Sequence, residues 1–569
     1  MILDYKEFTS LVERFAEELP PKLASHHKTR DFAPRVERLL QFAESRFTLA
    51  VVGQMRAGKS SLLNALIGED LAMVGVNETT ATINWFTYGI GRQTQTFRVH
   101  WKGRPPEDKD LAEKEQWVGE SALAKDTRKL EFFADTDFLK TADVVDTPGT
   151  RSLIAEHQEK VDEFLAQKAD SETRHLGSGA DAILYVVPPV ARESDADFLE
   201  QFKRTTRLPD SPPHNSLAVV HKWEALESDD PHAEAQQKAA HIYNAMQDCV
   251  SHVMPASAPL GRAAERFPDL FWHTLLDISL NTTAADLEEL LLGEEDFLEN
   301  DSRGCPLDAA ARTRLRREFK LPWPSLKLIL RTARRRSPGN PSDLRKMILE
   351  MSSLPKLRQE IQNRFFARAG ALKMSKLLAA AFEPCQRAEH QLRNFKLTLN
   401  HDLQKAERIQ TMLGERISAG DSALLPVQEF IQSAIHKSKE EADHVTESLR
   451  SISIAALDAK EKQQRLERDL EMLGVLDGEH DLPAELMVIL RCLFGRSGGD
   501  IAARLSFLNH DRVCPADLDR AIAKLLAFRR CVPDVVKATV DHGLSHLEEM
   551  ADMMEEKNLA EISLTPQQA

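Results

Sequence analysis

The chain has 569 residues, 42% hydrophobic and 29% charged, a balance that excludes disorder and leaves room for roughly three or four units of ordinary domain size. A formal net charge of −15 excludes a general affinity for nucleic acid, because neutralising phosphates takes an excess of Lys and Arg. Six cysteines (Cys249, Cys305, Cys385, Cys492, Cys514 and Cys531) stand without CxxC or Cys/His ligand spacing, which speaks against a disulfide frame or a zinc site and for reduced thiols in the cytoplasm. The opening MILDYKEF carries charges where a signal peptide needs an apolar run, and no stretch of 18 apolar residues exists to span a membrane. Any membrane contact is therefore expected to be peripheral.

Residues 1–45 read as two amphipathic helices separated by Pro20-Pro21, the second carrying Val36, Leu39, Leu40 and Phe42 at helical spacing. At Phe47–Val52 the pattern turns to strand, and from there to about Ser257 strands alternate with helices. The runs Ala142–Val145, Ala182–Val187 and Leu217–Val220 are apolar on both faces, as strands of a buried, mainly parallel sheet are. INWFTYG, a Gly-rich turn and TFRVHW, between Thr82 and His100, predict a hairpin, and the charged stretch Gly103–Asp126 an inserted loop or helix. After about residue 300 strand signals nearly vanish. Long helices are predicted near 355–413, with a kink or break at Gly370 or Pro384, and near 427–473, uninterrupted until Gly474. The layout expected is N-terminal helices (1–46) joining a bundle, a nucleotide-binding domain (47–300), a basic helical connector (301–354) and a helical bundle (355–569).

Gly53-Gln54-Met55-Arg56-Ala57-Gly58-Lys59-Ser60 matches GxxxxGK[ST], with a strand before it and a helix, from Ser61, after it. In that setting the glycines let backbone amides turn in around a β-phosphate, and the helix adds its positive end. Lys59 places a point charge on the β- and γ-phosphates, and Ser60 offers a hydroxyl to Mg²⁺. Asp146-Thr147-Pro148-Gly149 follows an apolar strand; the carboxylate would hold Mg²⁺ through water and the Gly149 amide would meet the γ-phosphate. The residue after Asp146 is Thr147 and not Glu, which is the GTPase form of the motif rather than the ATPase form. In Asn77-Glu78-Thr79-Thr80-Ala81, Thr80 is chosen over Thr79 as a switch threonine closing on Mg²⁺. The sequence thus predicts an α/β P-loop GTPase domain followed by an elongated all-α region, binding GTP or GDP with Mg²⁺.

The base-reading position departs from [N/T]KxD. It holds His221-Lys222-Trp223-Glu224: Lys222 stands where it would lie against the base, and Glu224 keeps the acceptor chemistry with one more methylene. Looser guanine selectivity, or a segment that no longer reads a base, are both open. Pro255-Ala256-Ser257-Ala258 follows a short apolar run and would supply the loop over the base through Ser257. Arg56 would swing onto the phosphates as an internal arginine, or else face solvent. No switch glutamine follows Gly149.

The runs GQMRAGKSSLLNALIGE, GVNETTATI, VVDTPG and ADAILYVVPP resemble bacterial dynamin-like proteins, and FFARAGALK (365–373) and VILRCLFGRSGGDIAARLSFL (488–508) are similar to segments of that family. The resemblance implies helices from both ends of the chain in one bundle, G-domain dimerisation across the nucleotide, a second dynamin-like partner in some settings, and force or scaffolding on lipid bilayers. It also places Arg56 where the guanylate-binding branch of the superfamily has its internal arginine finger.

Arg312–Arg336 carries ten basic residues around a single Glu318; this is read as a solvated or interdomain face, with lipid headgroups as the alternative. Leu486–Phe494, before a Gly-rich turn, is read as a core helix, with a membrane-dipping tip as the alternative. The function expected is a GTP-hydrolysing, self-associating dynamin-like enzyme. Its rivals are a GTP switch that recruits a protein with little turnover, and a scaffold with a decayed site.

Overall fold

A computed structural model describes residues 17–34, 36–37, 45–53, 57–73, 83–101, 104–114, 117, 127–146, 180–189, 213–247, 249–300, 304–476, 482–494 and 515–563. The chain divides into two compact units, one holding the described residues from Arg46 to Ala367, the other those through Ser45 and from Arg368 onward.

The first unit is built on a nine-stranded sheet in the order β4-β3-β5-β2-β6-β1-β7-β8-β9. Its centre is β1 (Thr48–Gly53), buried at all six positions and parallel to β6 (Asp143–Asp146) on one side and β7 (Ala182–Val187) on the other. β8 (Ser216–Val220) and β9 (His252–Pro255) continue the parallel run. Strands covered on both faces need apolar side chains throughout, which is why TLAVVG, AILYVV and SLAVV have no alternation. The parallel core predicted from those runs is present.

The predicted hairpin is not. β2 (Asn84–Tyr88) and β3 (Thr96–Trp101) are separated by β5 (Thr127–Ala134), parallel to β2 and antiparallel to β3. Phe132 of β5 lies between two other rings, 5.4 Å from that of Phe86 and 5.3 Å from that of Phe97, and all three are buried. A hairpin would have placed Phe86 and Phe97 on neighbouring strands; inserting β5 fills the space between them with a third ring. The charged stretch expected as a loop or helix also contributes a strand, β4 (Glu107–Asp110), antiparallel to β3. Its EDKD sequence suits an exposed edge, where charge discourages pairing with another chain, and Arg98 fixes it through a two-pronged pair with Asp108 at 2.7 and 3.2 Å.

Helices surround this sheet: α1 (Lys59–Ile67), α2 (Asp137–Thr141), α3 (Pro231–Met246), α4 (Ala258–Arg266), α5 (Asp269–Asn281), α6 (Ala284–Leu290), α7 (Glu294–Glu299), α8 (Ala309–Phe319), α9 (Trp323–Arg336), α10 (Pro341–Met351) and α11 (Leu354–Arg364). α5, α9 and α10 share an apolar core built on Trp272, Leu275, Leu326, Ile329, Leu330, Leu344 and Ile348. Part of the basic run is engaged inside this unit, while Arg314, Arg317, Lys320 and Arg336 are exposed as on a solvated face. Arg312 is fully buried and donates to the carbonyls of Phe297, Leu307 and Asn300. Arg316 pairs with Glu294, Arg331 with Glu288 at 2.6 Å, and Arg335 with Asp229 at 3.3 Å, while Arg334 donates to the carbonyls of Ser279 and Leu280.

In the second unit, residues 17–24 are helical straight through Pro20-Pro21, so the predicted break there does not occur. The turn comes at 25–29, where the Thr29 hydroxyl donates to the Leu23 carbonyl at 2.6 Å and ends the helix. Of the apolar positions assigned to the second N-terminal helix, Val36 is buried, and Leu39, Leu40 and Phe42 lie outside the described residues. α12 (Ala369–Ser418) continues through Pro384, which forfeits one backbone hydrogen bond. Burial of Ala381, Cys385, Ala388 and Leu392 along that face offsets the loss. The interruption near Gly370 falls just ahead of it, at the 3-10 turn Phe366–Arg368. α13 (Leu425–Leu476) has 52 residues, about 78 Å at 1.5 Å per residue, and packs along α12. α14 (Ala484–Phe494), α15 (Pro515–Arg529) and α16 (Asp534–Ser563) close over the end of α13, with Leu486, Ile489 and Leu490 buried among Leu473, Leu525, Val536 and Val540. The apolar segment is thus a core helix; Gly495–Gly499 lies outside the described residues.

Truncating Phe132→Ala removes the middle ring of the β2–β5–β3 stack and should destabilise the first unit by about 3–5 kcal/mol, read from denaturant unfolding. A cost below about 1 kcal/mol would contradict the three-ring packing.

Candidate nucleotide-binding site

The site lies where β1, β6 and β8 end. β1 stops at Gly53, and a Cβ there would come within 2.4 Å of the Val186 carbonyl oxygen on β7, so the two strands approach closely only because residue 53 has no side chain. Gln54, Met55 and Arg56 lie outside the described residues. The chain re-enters at Ala57, and Gly58 caps α1 with φ 89°, a conformation that favours glycine. No side chain caps this end of α1 and no acidic residue sits in its first turn, so the amides of Lys59, Ser60 and Ser61 present a positive end to an anion.

Lys59 and Ser60 are both buried. The Lys59 ammonium donates to the Gly53 carbonyl at 3.2 Å, which holds it across the mouth of the loop. The Ser60 hydroxyl donates to Asp146 Oδ2 at 3.1 Å, and Asp146 is 1% exposed at the end of β6, in register with Val51 of β1. The parallel pairing of β1 with β6 brings residues 86 positions apart into contact. An all-oxygen pair of this kind suits a hard divalent cation such as Mg²⁺. Gly149 and Thr80 lie outside the described residues.

β8 delivers His221, whose amide donates to the Val187 carbonyl at 2.9 Å and whose imidazole is fully buried behind the loop. A Cβ on Gly58 would fall 2.6 Å from His221 Nδ1 and 3.0 Å from Lys222 Cε, so the α1 cap and the β8 end are packed backbone to side chain. The Ala258 amide donates to His221 Nε2 at 3.3 Å. One ring thereby touches both the α1 cap and the loop after β9. Burial, helped by the charge of Lys222, pushes the His221 pKa down to about 3, so the ring is neutral in its contacts. Lys222 itself adopts a left-handed backbone, φ 63°.

Glu224 is 6% exposed, and burial raises its carboxyl pKa above the ordinary range, countered by hydrogen bonds from its own backbone, Ser257 and Ser325. Ser257 is buried, caps α4 through the Leu260 amide at 3.4 Å, and its own amide donates to the Ser352 carbonyl at 2.9 Å. His221, Lys222, Glu224 and Ser257 are thus brought together, next to Gly58.

Sequence reasoning missed several supporting residues. Buried Asn64 on α1 accepts from the amides of Leu71 and Ala72 at 3.1 and 2.7 Å and donates to the Ala72 carbonyl, fixing the chain that leaves α1. Arg358 of α11 binds both Glu265 and the α1 carbonyl of Ala65. An Asn among apolar neighbours in LLNALI was the available signal for the first; nothing local marks Arg358, 293 positions from its partner.

Fold and site together define a P-loop domain of the GTPase class. Residues 49–222 match the model of the Dynamin family, and in this stretch the chain resembles the bacterial dynamin-like proteins. It is 29% identical over 162 residues to the isoniazid-induced protein IniC of Mycobacterium tuberculosis, covering 27% of this chain and 29% of that protein. To the bacterial dynamin-like protein of Nostoc punctiforme it is 32% identical over 126 residues, 20% of this chain and 18% of the relative. Against dynamin-like protein 1 of Campylobacter jejuni the match is 24% over 211 residues, 31% of this chain and 28% of the other. The chain therefore spans less than a third of the length of these relatives. A solved structure of an oligomerised bacterial dynamin pair covers 98% of this chain and 93% of its own, at 12% identity and a TM-score of 0.32, a likeness too loose to assign anything here.

Below pH 6.5 an unfolded histidine gains a proton, whereas folded His221 does not until about pH 3. The unfolded state binds the extra proton in that window, so stability should fall progressively as pH drops from 6.5 toward 3. His221→Gln should remove that part of the slope in unfolding free energy against pH. An unchanged slope would mean that the imidazole is protonated in the fold.

Proposed function

We propose that the chain binds GTP with Mg²⁺ and hydrolyses it, self-associates through the G domain, and acts at a membrane surface in remodelling or vesicle-related work. The observation that carries the reading is the meeting of Ser60 with Asp146 at the uncapped start of α1, beside the Lys59 ammonium.

In this proposal the amides from Gly53 through Ser61, Ala57 and Gly58 included, cradle the β-phosphate, and Lys59 bridges the β- and γ-phosphates. Ser60 and Thr80 hold Mg²⁺ directly and Asp146 holds it through water; the ion supplies neutralisation of charge on the phosphate oxygens. Gly149 meets the γ-phosphate, and Arg56 turns onto it from the same chain after dimerisation. Lys222 lies along the base and Glu224 accepts from its edge, while His221 ties that segment to Gly58 and Ser257 braces the loop over it. Since Glu224 must be ionised to accept twice, guanine preference should weaken in acid.

The division at 1–46, 47–300, 301–354 and 355–569 belongs to the same proposal, with the terminal helices as neck and stalk. Among the described residues no helix is long and apolar enough to cross a membrane. Contact with lipid is assigned to the helix ends on either side of the α12–α13 turn, where Met412 of α12 and Leu425, Val427 and Phe430 of α13 are exposed, Phe430 by 74%. A second dynamin-like protein, as well as another copy of this chain, would fit as partner.

GTP turnover per molecule should rise with protein concentration and again with anionic liposomes, and ATP should not replace GTP. Lys59→Ala should weaken GTP binding by about tenfold or more, the worth of a charged hydrogen bond. Turnover that stays near zero at all concentrations, with tight GTP binding, would favour a switch that recruits a partner; unchanged binding in Lys59→Ala would defeat the phosphate assignment.

A further inference from the structure

Far from the nucleotide site in sequence, the second unit brings together Asp469 of α13 with His542 and His546 of α16. We propose that these three side chains form a divalent transition-metal site of the zinc class, which clamps the C-terminal helix to α13. His542 and His546 stand four residues apart and so share one helix face, their ring centroids 4.6 Å apart. Both direct Nε2 at a single oxygen, Asp469 Oδ1, at 2.9 Å from His542 and 2.7 Å from His546. The three donor atoms lie within 4.8 Å of one another.

Three features favour a metal. Zinc binds imidazole nitrogen and carboxylate oxygen at about 2.0–2.2 Å, which separates neighbouring ligand atoms by about 2.9 Å at a right angle and about 3.4 Å in a tetrahedron. The two carboxylate–imidazole spacings already stand near the right-angle figure, and the tetrahedral one asks for shifts of about half an ångström. The donors are also pre-placed: Asp469 is 0% exposed and His546 2%. Finally, His542 is 19% exposed, so the triad has an edge toward solvent through which an ion and a water ligand can enter.

The expectation of no zinc site rested on Cys/His spacing, which a site of imidazole and carboxylate ligands alone does not show. Ligands 73 and 77 positions apart leave no such trace in the sequence beyond the His-x-x-x-His pair itself. Bound metal would join the interior of the 52-residue α13 to α16 at one register, which apolar packing alone holds less strictly.

The test uses the full chain, stripped with a chelator and titrated with Co²⁺ under excess Mg²⁺ and GDP. One equivalent should develop visible absorption typical of nitrogen and oxygen ligation, Zn²⁺ should bleach it, and Zn²⁺ should raise the melting temperature of the helical unit. Asp469→Asn and His542→Gln should each weaken Co²⁺ binding at least tenfold, the partly exposed His542 being the change least able to disturb folding. Absence of the absorption in the wild-type chain would overturn the site and leave a hydrogen-bonded triad only. Equal binding in His542→Gln and the wild type would also overturn it, placing the ion elsewhere, for example at His26, His27 and Glu441.

Discussion

Everything at the candidate site depends on how closely backbone can approach backbone at the end of β1. Gly53 lies against the Val186 carbonyl and Gly58 against the His221 ring, at distances where any Cβ would collide. Those two contacts fix where α1 begins, and α1 in turn carries Lys59 and Ser60 to the end of β6. A parallel sheet makes the rest possible: β6 and β8 flank the same end of the sheet, so Asp146 and His221, 75 positions apart, reach one helix start from two sides.

Charge is distributed around that junction in a way that net charge conceals. Five cations of the stretch from Arg312 to Arg336 (Arg312, Arg316, Arg331, Arg334 and Arg335) are bound into the first unit by carbonyls and carboxylates, with Arg312 buried outright, while Arg314, Arg317, Lys320 and Arg336 are exposed. A buried guanidinium is tolerated because its planar fork meets three carbonyls at once.

The central strands and the α1 motif were legible because their signals are local. Apolar runs covered on both faces read as parallel strands, and GxxxxGKS between strand and helix fixes one chemistry. Strand order at the β2–β3 side was not legible: β5 enters from 26 residues beyond the end of β3, and only the stacked rings of Phe86, Phe132 and Phe97 record its position. The break assigned to Pro20-Pro21 does not occur, and α12 runs on through Pro384, because burial along those helices outweighs a local backbone loss. At the base-reading segment the residues were legible but their packing partners were not. That Glu224 meets Ser257 and Ser325, and that His221 touches both Gly58 and Ala258, follows from loops joined through tertiary contact.

The central claim is that Ser60 and Asp146 grip a magnesium ion for a triphosphate seated on the start of α1. Its most direct test is equilibrium binding of a non-hydrolysable GTP analogue, with Mg²⁺ and with chelator, to the wild-type chain and to Asp146→Asn. The account predicts that removing Mg²⁺ weakens wild-type binding at least tenfold and leaves the variant nearly indifferent. Equal dependence on Mg²⁺ in both chains, or none in the wild type, would contradict it.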